Sequence, residues 1–95
     1  MARFRAAIPP SVVDVIRHLS PELKRSVKHA IRAIGSDPHC GDPLQKELEG
    51  YWKYRVRRFR IVYSIDRANR AIRIVAVAPR RTIYEQVAEQ LRERS

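Results

Sequence analysis

From Tyr51 onward the chain alternates. Trp52, Tyr54 and Val56 are separated by Lys53 and Arg55, with Arg57 next, and Phe59, Ile61, Tyr63 and Ile65 are separated by Arg60, Val62 and Ser64. A period of two with one apolar side suits antiparallel strands lying on a core. After a turn at Asp66-Arg67-Ala68-Asn69, Ile72, Ile74 and Ala76 alternate with Arg73, Val75 and Val77. The pattern therefore predicts three consecutive strands.

The N-terminal half has a different period. Residues 3–8 suit a short first strand ended by Pro9-Pro10. Ser11 can cap a short helix with Val12, Val13, Ile16 and Leu19 near helical spacing. Ser20-Pro21-Glu22-Leu23 reads as a second helix start, with Leu23, Val27, Ala30, Ile31 and Ile34 in register and Gly35 as its stop. Residues 36–43, with two prolines, two aspartates and Gly41, read as a loop. Leu44 and Leu48 suit one turn of ordered chain, and Gly50 marks the bend into the sheet. Thr82 can cap a last helix running to Arg94, with Tyr84, Val87, Ala88 and Leu91 at helical spacing. The expected fold class is α+β: a small antiparallel sheet of about four strands, an N-terminal helical pair over one face, and a C-terminal helix. Residues 1–95 are expected to form one domain, because 95 residues is the size of a single unit and no linker divides them.

Composition narrows the class. Apolar residues make up 44% of the chain in short patterned runs, enough for a modest core. No apolar run approaches the ~20 residues that cross a bilayer. The start Met1-Ala2-Arg3-Phe4-Arg5 has no long hydrophobic stretch behind it, so a secretory signal is not expected. Cys40 is the only cysteine, which excludes an internal disulfide and fits a cytoplasmic location.

Charge changes the picture more. The net charge is +10, and the segment from Tyr51 to Arg81 carries +9 of it: Lys53, Arg55, Arg57, Arg58, Arg60, Arg67, Arg70, Arg73, Arg80 and Arg81 against Asp66 alone. An excess held in one third of a domain makes a field that attracts a polyanion. Nucleic acid is the first candidate and an acidic protein the second. A membrane surface is third, since no basic amphipathic helix carries the charge.

With Arg57-Arg58 as the two central residues of a tight hairpin, Val56 pairs with Phe59, Arg55 with Arg60, Tyr54 with Ile61, and Lys53 with Val62. Neither arginine is a residue such a turn prefers, and a longer turn would change the partners. In the two-residue register Lys53, Arg55 and Arg60 share the face opposite Trp52, Tyr54, Phe59 and Ile61. Like charges opposed on a sheet are unfavourable, and a bound polyanion offsets that cost; long side chains fanning into water are the alternative. Arg67, Arg70 and Arg73 fit steering or solubility equally well. Pro79 ends the third strand and brings Arg80 or Arg81, with Tyr84 one turn into the helix, to the rim of the sheet. Tyr84 is either a core residue or a base-stacking one.

Cutting RNA through its own 2′-hydroxyl requires proton removal, charge stabilisation, protonation of the leaving oxygen and in-line geometry. Arginine clamps phosphate bidentately but is a poor base. A lysine among cations gives up its proton more readily, and Lys53 stands near arginines. Tyrosine can stack on a base or exchange a proton. His18, His29 and His39 are far apart and Cys40 has no attached base, so neither a metal site nor a nucleophilic cysteine is expected, and no cofactor is implied.

Three runs resemble a known family: Leu48-Glu49-Gly50-Tyr51-Trp52-Lys53-Tyr54-Arg55-Val56, Phe59-Arg60-Ile61-Val62-Tyr63, and Val77-Ala78-Pro79-Arg80-Arg81-Thr82-Ile83-Tyr84. As an ordered set they look like the RelE/ParE superfamily of bacterial type II toxin–antitoxin toxins, nearest to its RelE branch. The resemblance covers most of the chain in element order and residues 44–91 in detail. It implies an endoribonuclease that cleaves messenger RNA, usually in the ribosomal decoding site, and is held inactive by a cognate antitoxin. The implied partners are that antitoxin, the ribosome and mRNA. The implied catalytic set is Lys53 and Arg55 after the Gly50 bend, Arg60 on the next strand, Arg80 after the last strand and Tyr84 on the final helix. The wider RNA-binding set adds Arg57, Arg58, Arg73 and Arg81. Two departures from the family pattern are Arg55, where a lysine is often found, and Ala78-Pro79-Arg80, where many relatives have glycine, histidine or lysine, then arginine. The ParE branch, which acts on DNA gyrase, is the alternative within the fold. A binding-only nucleic-acid domain is the alternative outside it.

Overall fold

Two proline-led helices and a meander of strands build the molecule. The computed structural model describes residues 3–94. In chain order these are β1 (Arg5–Ala7), α1 (Pro10–Arg17), α2 (Pro21–Ser36), a short 3₁₀ turn (Pro38–Cys40), β2 (Asp42–Pro43), a second such turn (Lys46–Leu48), β3 (Tyr51–Val56), β4 (Phe59–Asp66), β5 (Ala71–Pro79) and α3 (Ile83–Arg94). The strands form one five-stranded sheet in the order β1-β5-β4-β3-β2. The α+β class follows, with two adjustments.

The first is β1, which pairs with β5 in parallel, Arg5 beside Ala71 and Ala7 beside Arg73. No tight turn ties β1 to a sequential neighbour, because the helical pair leaves the sheet immediately after it. The outer edge of β5 is free to receive it. The second is β2, lying within the expected loop: Asp42 pairs with Lys53 and Pro43 with Trp52, antiparallel. Proline suits an edge strand, where its missing N–H faces away from the ladder.

The helix starts also differ in detail. The first turn of α1 is capped by the Pro9 carbonyl, which accepts from the N–H of Val12 (2.9 Å) and of Val13 (3.0 Å), so Pro9 and not Ser11 is the cap. Pro10 occupies the first helical position, where a missing N–H costs nothing. At α2, Ser20 Oγ accepts from the Leu23 N–H at 3.3 Å, the cap the sequence predicts. Gly35 does not stop α2, which runs to Ser36. Its carbonyl accepts from the Phe4 N–H at 2.9 Å, and a Cβ there would sit 2.9 Å from the Phe4 carbonyl oxygen. Glycine is required for β1 to approach the helix.

One face of the sheet packs on α1 and α2. Val12, Ile16, Val27, Ala30 and Ile34 meet Val56, Ile61, Tyr63, Ile72, Ile74 and Val77, with Trp52, Tyr54 and Phe59 half-buried at the margin. Each fully buried aliphatic side chain contributes about 1.5–3 kcal/mol. The other face holds a smaller core in which Val62, Ala76 and Ala78 pack with Ile83 and Val87 of α3. A bulge in β5 makes both cores possible. Tyr63 pairs with Ile74 but Val62 pairs with Ala76, leaving Val75 as the extra residue. The predicted alternation Ile72-Ile74-Ala76 therefore breaks at Val75. Beyond it Val77 joins the core under α1 and α2, while Ala76 and Ala78 join the one under α3.

The segment 37–43 is clamped onto the sheet. Tyr63, fully buried, donates its hydroxyl to the Pro38 carbonyl at 2.7 Å. Burial, reinforced by the neighbouring Cys40, pushes the phenol well above its usual range, so it stays a donor. Trp52 stacks on Tyr63 (6.4 Å between centroids) and meets the edge of His39 (5.3 Å). Arg67 Nη2 lies 2.7 Å from His39 Nε2. At the β4–β5 turn, Asp66 accepts from the Asn69 side chain (2.9 Å), the Asn69 backbone N–H (3.2 Å) and Arg73 Nη2 (3.0 Å). The Asn69 side chain first, then its N–H and Arg73, hold this carboxyl below its ordinary value of 3.8.

A Cβ at Gly41 would collide with the Lys53 carbonyl oxygen and the Tyr63 hydroxyl, so Gly41→Ala should destabilise by about 1–3 kcal/mol in urea unfolding. Tyr63→Phe should cost a similar ~1–3 kcal/mol by leaving Pro38 unpaired. Midpoints equal to wild type would mean that the 37–43 segment is not held by the sheet. At the turn, stability from Asp66 is present above pH 3.8 and is lost as pH falls through its depressed folded value. Carboxyl-carbon NMR titration should give Asp66 a midpoint below 3.8 in wild type and a higher one in Asn69→Ala; identical midpoints would refute the Asn69 assignment.

Candidate nucleic-acid interface

The β3–β4 hairpin sets the site. Its two-residue turn is Arg57-Arg58, and the pairs are Val56 with Phe59, Arg55 with Arg60, Tyr54 with Ile61 and Lys53 with Val62, as the alternation predicts. Arg57 takes φ 54°, the left-handed conformation that the first central residue of such a turn needs and that glycine adopts more easily. Side chains opposed on antiparallel strands share a face, with Cβ atoms ~5 Å apart. Arg60 also pairs with Ala78, and Val62 with Ala76. Lys53, Arg55 and Arg60 therefore lie on the α3 side of the sheet, beside the small second core.

That face is only partly open. Ile83, Val87 and the half-buried Leu91 of α3, with Leu44, Leu48 and Tyr51, cover its middle. The basic residues occupy what α3 leaves uncovered. Lys53 and Arg60 are half-buried and Arg55 is exposed. The half-buried stem of Lys53 sits where β2 covers the strand edge, since Asp42 is its register partner. From Tyr54 to Val56 that edge has no strand beside it among the described residues. There Arg55 also borders a cleft against α2, with Glu22, Ser26, His29 and Tyr54.

Arg60 does not lie free. Its Nη1 donates to the carbonyls of Arg57 (3.0 Å) and Phe59 (2.8 Å), which aims the guanidinium at the hairpin turn. Lys53 and Arg60 share a face, but the end of Arg60 is tied toward the turn, away from the level of Lys53. Arg80 reaches the same turn from the other side, its N–H donating to the Arg58 carbonyl at 2.8 Å. Arg57, Arg58, Arg80 and Arg81, with Pro79, line a cleft of about 580 Å³. Arg57 is further held by Glu22 on α2, Nη2 to Oε1 3.3 Å.

One expected residue is placed differently, and the alternative left open for Tyr84 is decided. Arg73 is ion-paired with Asp66 at 3.0 Å and stands beside Ser64, four residues along β4 from Arg60, outside the cluster. Tyr84 is not core: it is 38% exposed, while Ile83 is fully buried. The apolar stripe of α3 is Ile83, Val87 and Leu91 at four-residue spacing, a pattern visible in the sequence but displaced by one residue from the Tyr84-led reading. Thr82 opens the helix, its carbonyl accepting from the Gln86 N–H at 3.1 Å. The contribution of Gly41 and β2 to seating Lys53 carried no sequence signal, because a glycine amid prolines and aspartates reads as ordinary loop. Among the described residues no helix is long and apolar enough to cross a membrane.

This geometry has clear relatives among solved structures. The chain resembles the Mycobacterium tuberculosis toxin–antitoxin complex RelBE2 with TM-score 0.75 and 23% identity, covering 84% of this chain and 94% of that one. It resembles a mutant of the E. coli toxin RelE in the free state with TM-score 0.74 and 14% identity, covering 95% and 98%. It resembles the YoeB/ParE toxin from Agrobacterium tumefaciens with TM-score 0.70 and 18% identity, covering 80% and 98%. At these identities the likeness establishes the fold. No curated protein sequence gives a significant match. The sequence pattern of one family, the ParE toxin of the type II toxin–antitoxin system parDE, matches residues 12–84. That match spans most of the chain, and with the RelE-like fold it shows that the chain belongs to the ParE toxin family within the RelE/ParE superfamily.

Proposed function

We propose that this toxin acts by cutting messenger RNA in the ribosomal decoding site and is neutralised by a cognate antitoxin. The observation that carries this reading is the sharing of one sheet face by Lys53, Arg55 and Arg60, with the backbone of Arg80 bonded to the adjoining turn. An antitoxin partner is supported by the toxin–antitoxin complexes among its structural relatives.

In the proposed reaction the 2′-oxygen loses its proton to the amine of Lys53 and attacks the adjacent phosphorus. The bond to the 5′-oxygen breaks, giving a 2′,3′-cyclic phosphate and a 5′-hydroxyl. Arg60 stabilises the charge that develops on phosphorus. Its Nη1 is occupied by two carbonyls, and the rest of the planar guanidinium is left to meet phosphate oxygens in a fixed orientation. Arg55 adds charge from the opposed strand, and Arg80 clamps the phosphate or its neighbour. Tyr84, exposed at the start of α3, supplies the proton to the leaving oxygen and can stack on a base as it does so. The protein's own groups provide every proton transfer in this scheme. Arg57, Arg58 and Arg81 hold flanking phosphates. Arg73 is left with steering, since Asp66 neutralises it.

The second reading is action on DNA gyrase without RNA cleavage, favoured by the family whose pattern the sequence matches. Primer extension on a defined mRNA, with purified protein, with and without programmed ribosomes in Mg²⁺ buffer, separates the two. Ribosome-dependent cuts should appear with wild type. They should fall by about 10²-fold or more in Arg60→Ala, the scale for losing a transition-state donor, and by about 10²-fold in Lys53→Ala, the scale for a lost general base. Folded protein that arrests growth yet leaves the mRNA intact would reject the nuclease reading and favour the gyrase one.

A further inference from the structure

The cleft at the hairpin tip carries more charge than phosphate clamping along a strand requires. We propose that Arg57, Arg58, Arg80 and Arg81 form a binding site for a compact polyphosphate, the phosphoanhydride chain of a nucleoside 5′-polyphosphate or an inorganic equivalent. This site is distinct from the Lys53–Arg55 part of the face. It does not require that the protein cleave RNA.

Three observations support it. The four arginines come from two separate turns, the β3–β4 hairpin and the β5–α3 connection. A backbone hydrogen bond, Arg80 N–H to the Arg58 carbonyl at 2.8 Å, and the pairing of Phe59 with Pro79 hold those turns together. The walls are therefore fixed before any ligand arrives, which reduces the ordering cost of binding. Second, the cleft of about 580 Å³ is lined by these arginines and Pro79, with no carboxylate in the lining. Third, among the described residues the side chains of Arg58, Arg80 and Arg81 have neither an ion pair nor a hydrogen bond, and Arg57 is paired only from outside the cleft by Glu22. Of the other basic side chains of this half, Arg73 is engaged by Asp66, Arg67 by His39, Arg70 over the Phe4 ring and Arg60 by two carbonyls, while Lys53 and Arg55 have neither an ion pair nor a hydrogen bond among the described residues.

Like charges gathered without a counter-charge repel one another, and the arrangement becomes favourable only with an anion in place. The shape selects which anion. An RNA backbone presents singly charged phosphates spaced along a strand, and suits a stripe of cations that tracks it. Three unpaired arginines from two touching turns, with Arg57 at the margin tied to Glu22, line one cleft and suit several negative charges within one small group. Arginine is matched to this task, because its planar fork meets phosphate oxygens in pairs. Pro79 stiffens the wall that carries Arg80 and Arg81. All four arginines also belong to the proposed RNA surface, Arg80 at the reacting phosphate and the others at flanking ones, so an occupied cleft competes with RNA.

The test is calorimetric titration of the full chain, near physiological ionic strength, with sodium tripolyphosphate and separately with orthophosphate. Tripolyphosphate should bind at one site and about 10-fold or more tighter than orthophosphate, the gain from added charge-assisted pairs. The double variant R58A/R81A should weaken it by about 10-fold or more, whereas R17A/R32A, which removes two exposed charges from the helical pair outside both clefts that Arg57 lines, should change it by about 2-fold or less because those charges act only at a distance. Matching thermal melts show that the variants are folded. Equal losses in the two double variants, or no preference for tripolyphosphate, would reduce the cleft to general attraction by a basic protein and overturn the proposal. A single-stranded oligoribonucleotide without a 5′-phosphate provides the second arm. Tripolyphosphate should displace it; an oligonucleotide that needs Arg58 and Arg81 while tripolyphosphate finds no site would make the cleft a track for RNA backbone instead, and would also overturn it. Wild-type protein that binds tripolyphosphate yet leaves mRNA intact on programmed ribosomes would count against the nuclease reading and leave this site standing.

Discussion

Everything at the candidate site hangs on the register of one hairpin. With two residues in the turn, Arg55 opposes Arg60 and Lys53 opposes Val62, and the aromatic residues Trp52, Tyr54 and Phe59 fall toward α1 and α2. A slip by one residue would send lysine and arginine into that core and turn the aromatics out to water, because side chains alternate with a period of two. Apolar burial on the α1–α2 side thus fixes where the positive charge goes. The left-handed conformation of Arg57 is the local strain this register demands, of order 1 kcal/mol. The two carbonyls that hold Arg60 lie in or beside the same turn, so turn geometry and guanidinium placement are one arrangement.

The far side of the sheet is organised by a second device, the bulge at Val75. It shifts β5 by one residue so that two alanines, Ala76 and Ala78, meet α3 while Val77 returns to the main core. Small side chains let Ile83 and Val87 come down onto the strands. The final helix then divides the face into a dry middle and an open margin where the basic residues lie. Without that cover the charge would spread over a flat sheet; with it, Lys53 and Arg60 are half-buried beside apolar neighbours, where electrostatic interactions are screened less than in open water.

The basic residues are not equivalent once partners are counted. Arg73, Arg67, Arg70 and Arg57 each have an acid, ring or imidazole to meet. Arg58, Arg80 and Arg81 have none among the described residues, and they sit where two turns touch. A field that looks uniform along the sequence becomes, in three dimensions, a set of tethered arginines around two uncompensated places, the cleft and the Lys53–Arg55 margin.

Alternation and turn residues determined the three-stranded meander, the helical pair and the shared face of Lys53, Arg55 and Arg60, because a period of two or of 3.6 is a property of neighbours in the chain. The same logic located the Ser20 cap and the start of the last helix. What the chain could not disclose were features made by residues distant in sequence. The parallel pairing of β1 depends on which sheet edge is left free, and Gly35 is needed for the approach of Phe4, not to end a helix. The bulge at Val75 leaves no mark in a run of valine, isoleucine and alanine, since each residue there is apolar on either face. Tyr84 and Ile83 stand next to each other at the head of α3, and only packing against Val62 and the two alanines decides which is buried. Charge sign and number were legible at once, but whether each arginine is neutralised or free depended on Asp66, Glu22 and His39. Those partners are brought to them by the fold, and contact between residues far apart in sequence is what tertiary structure alone decides.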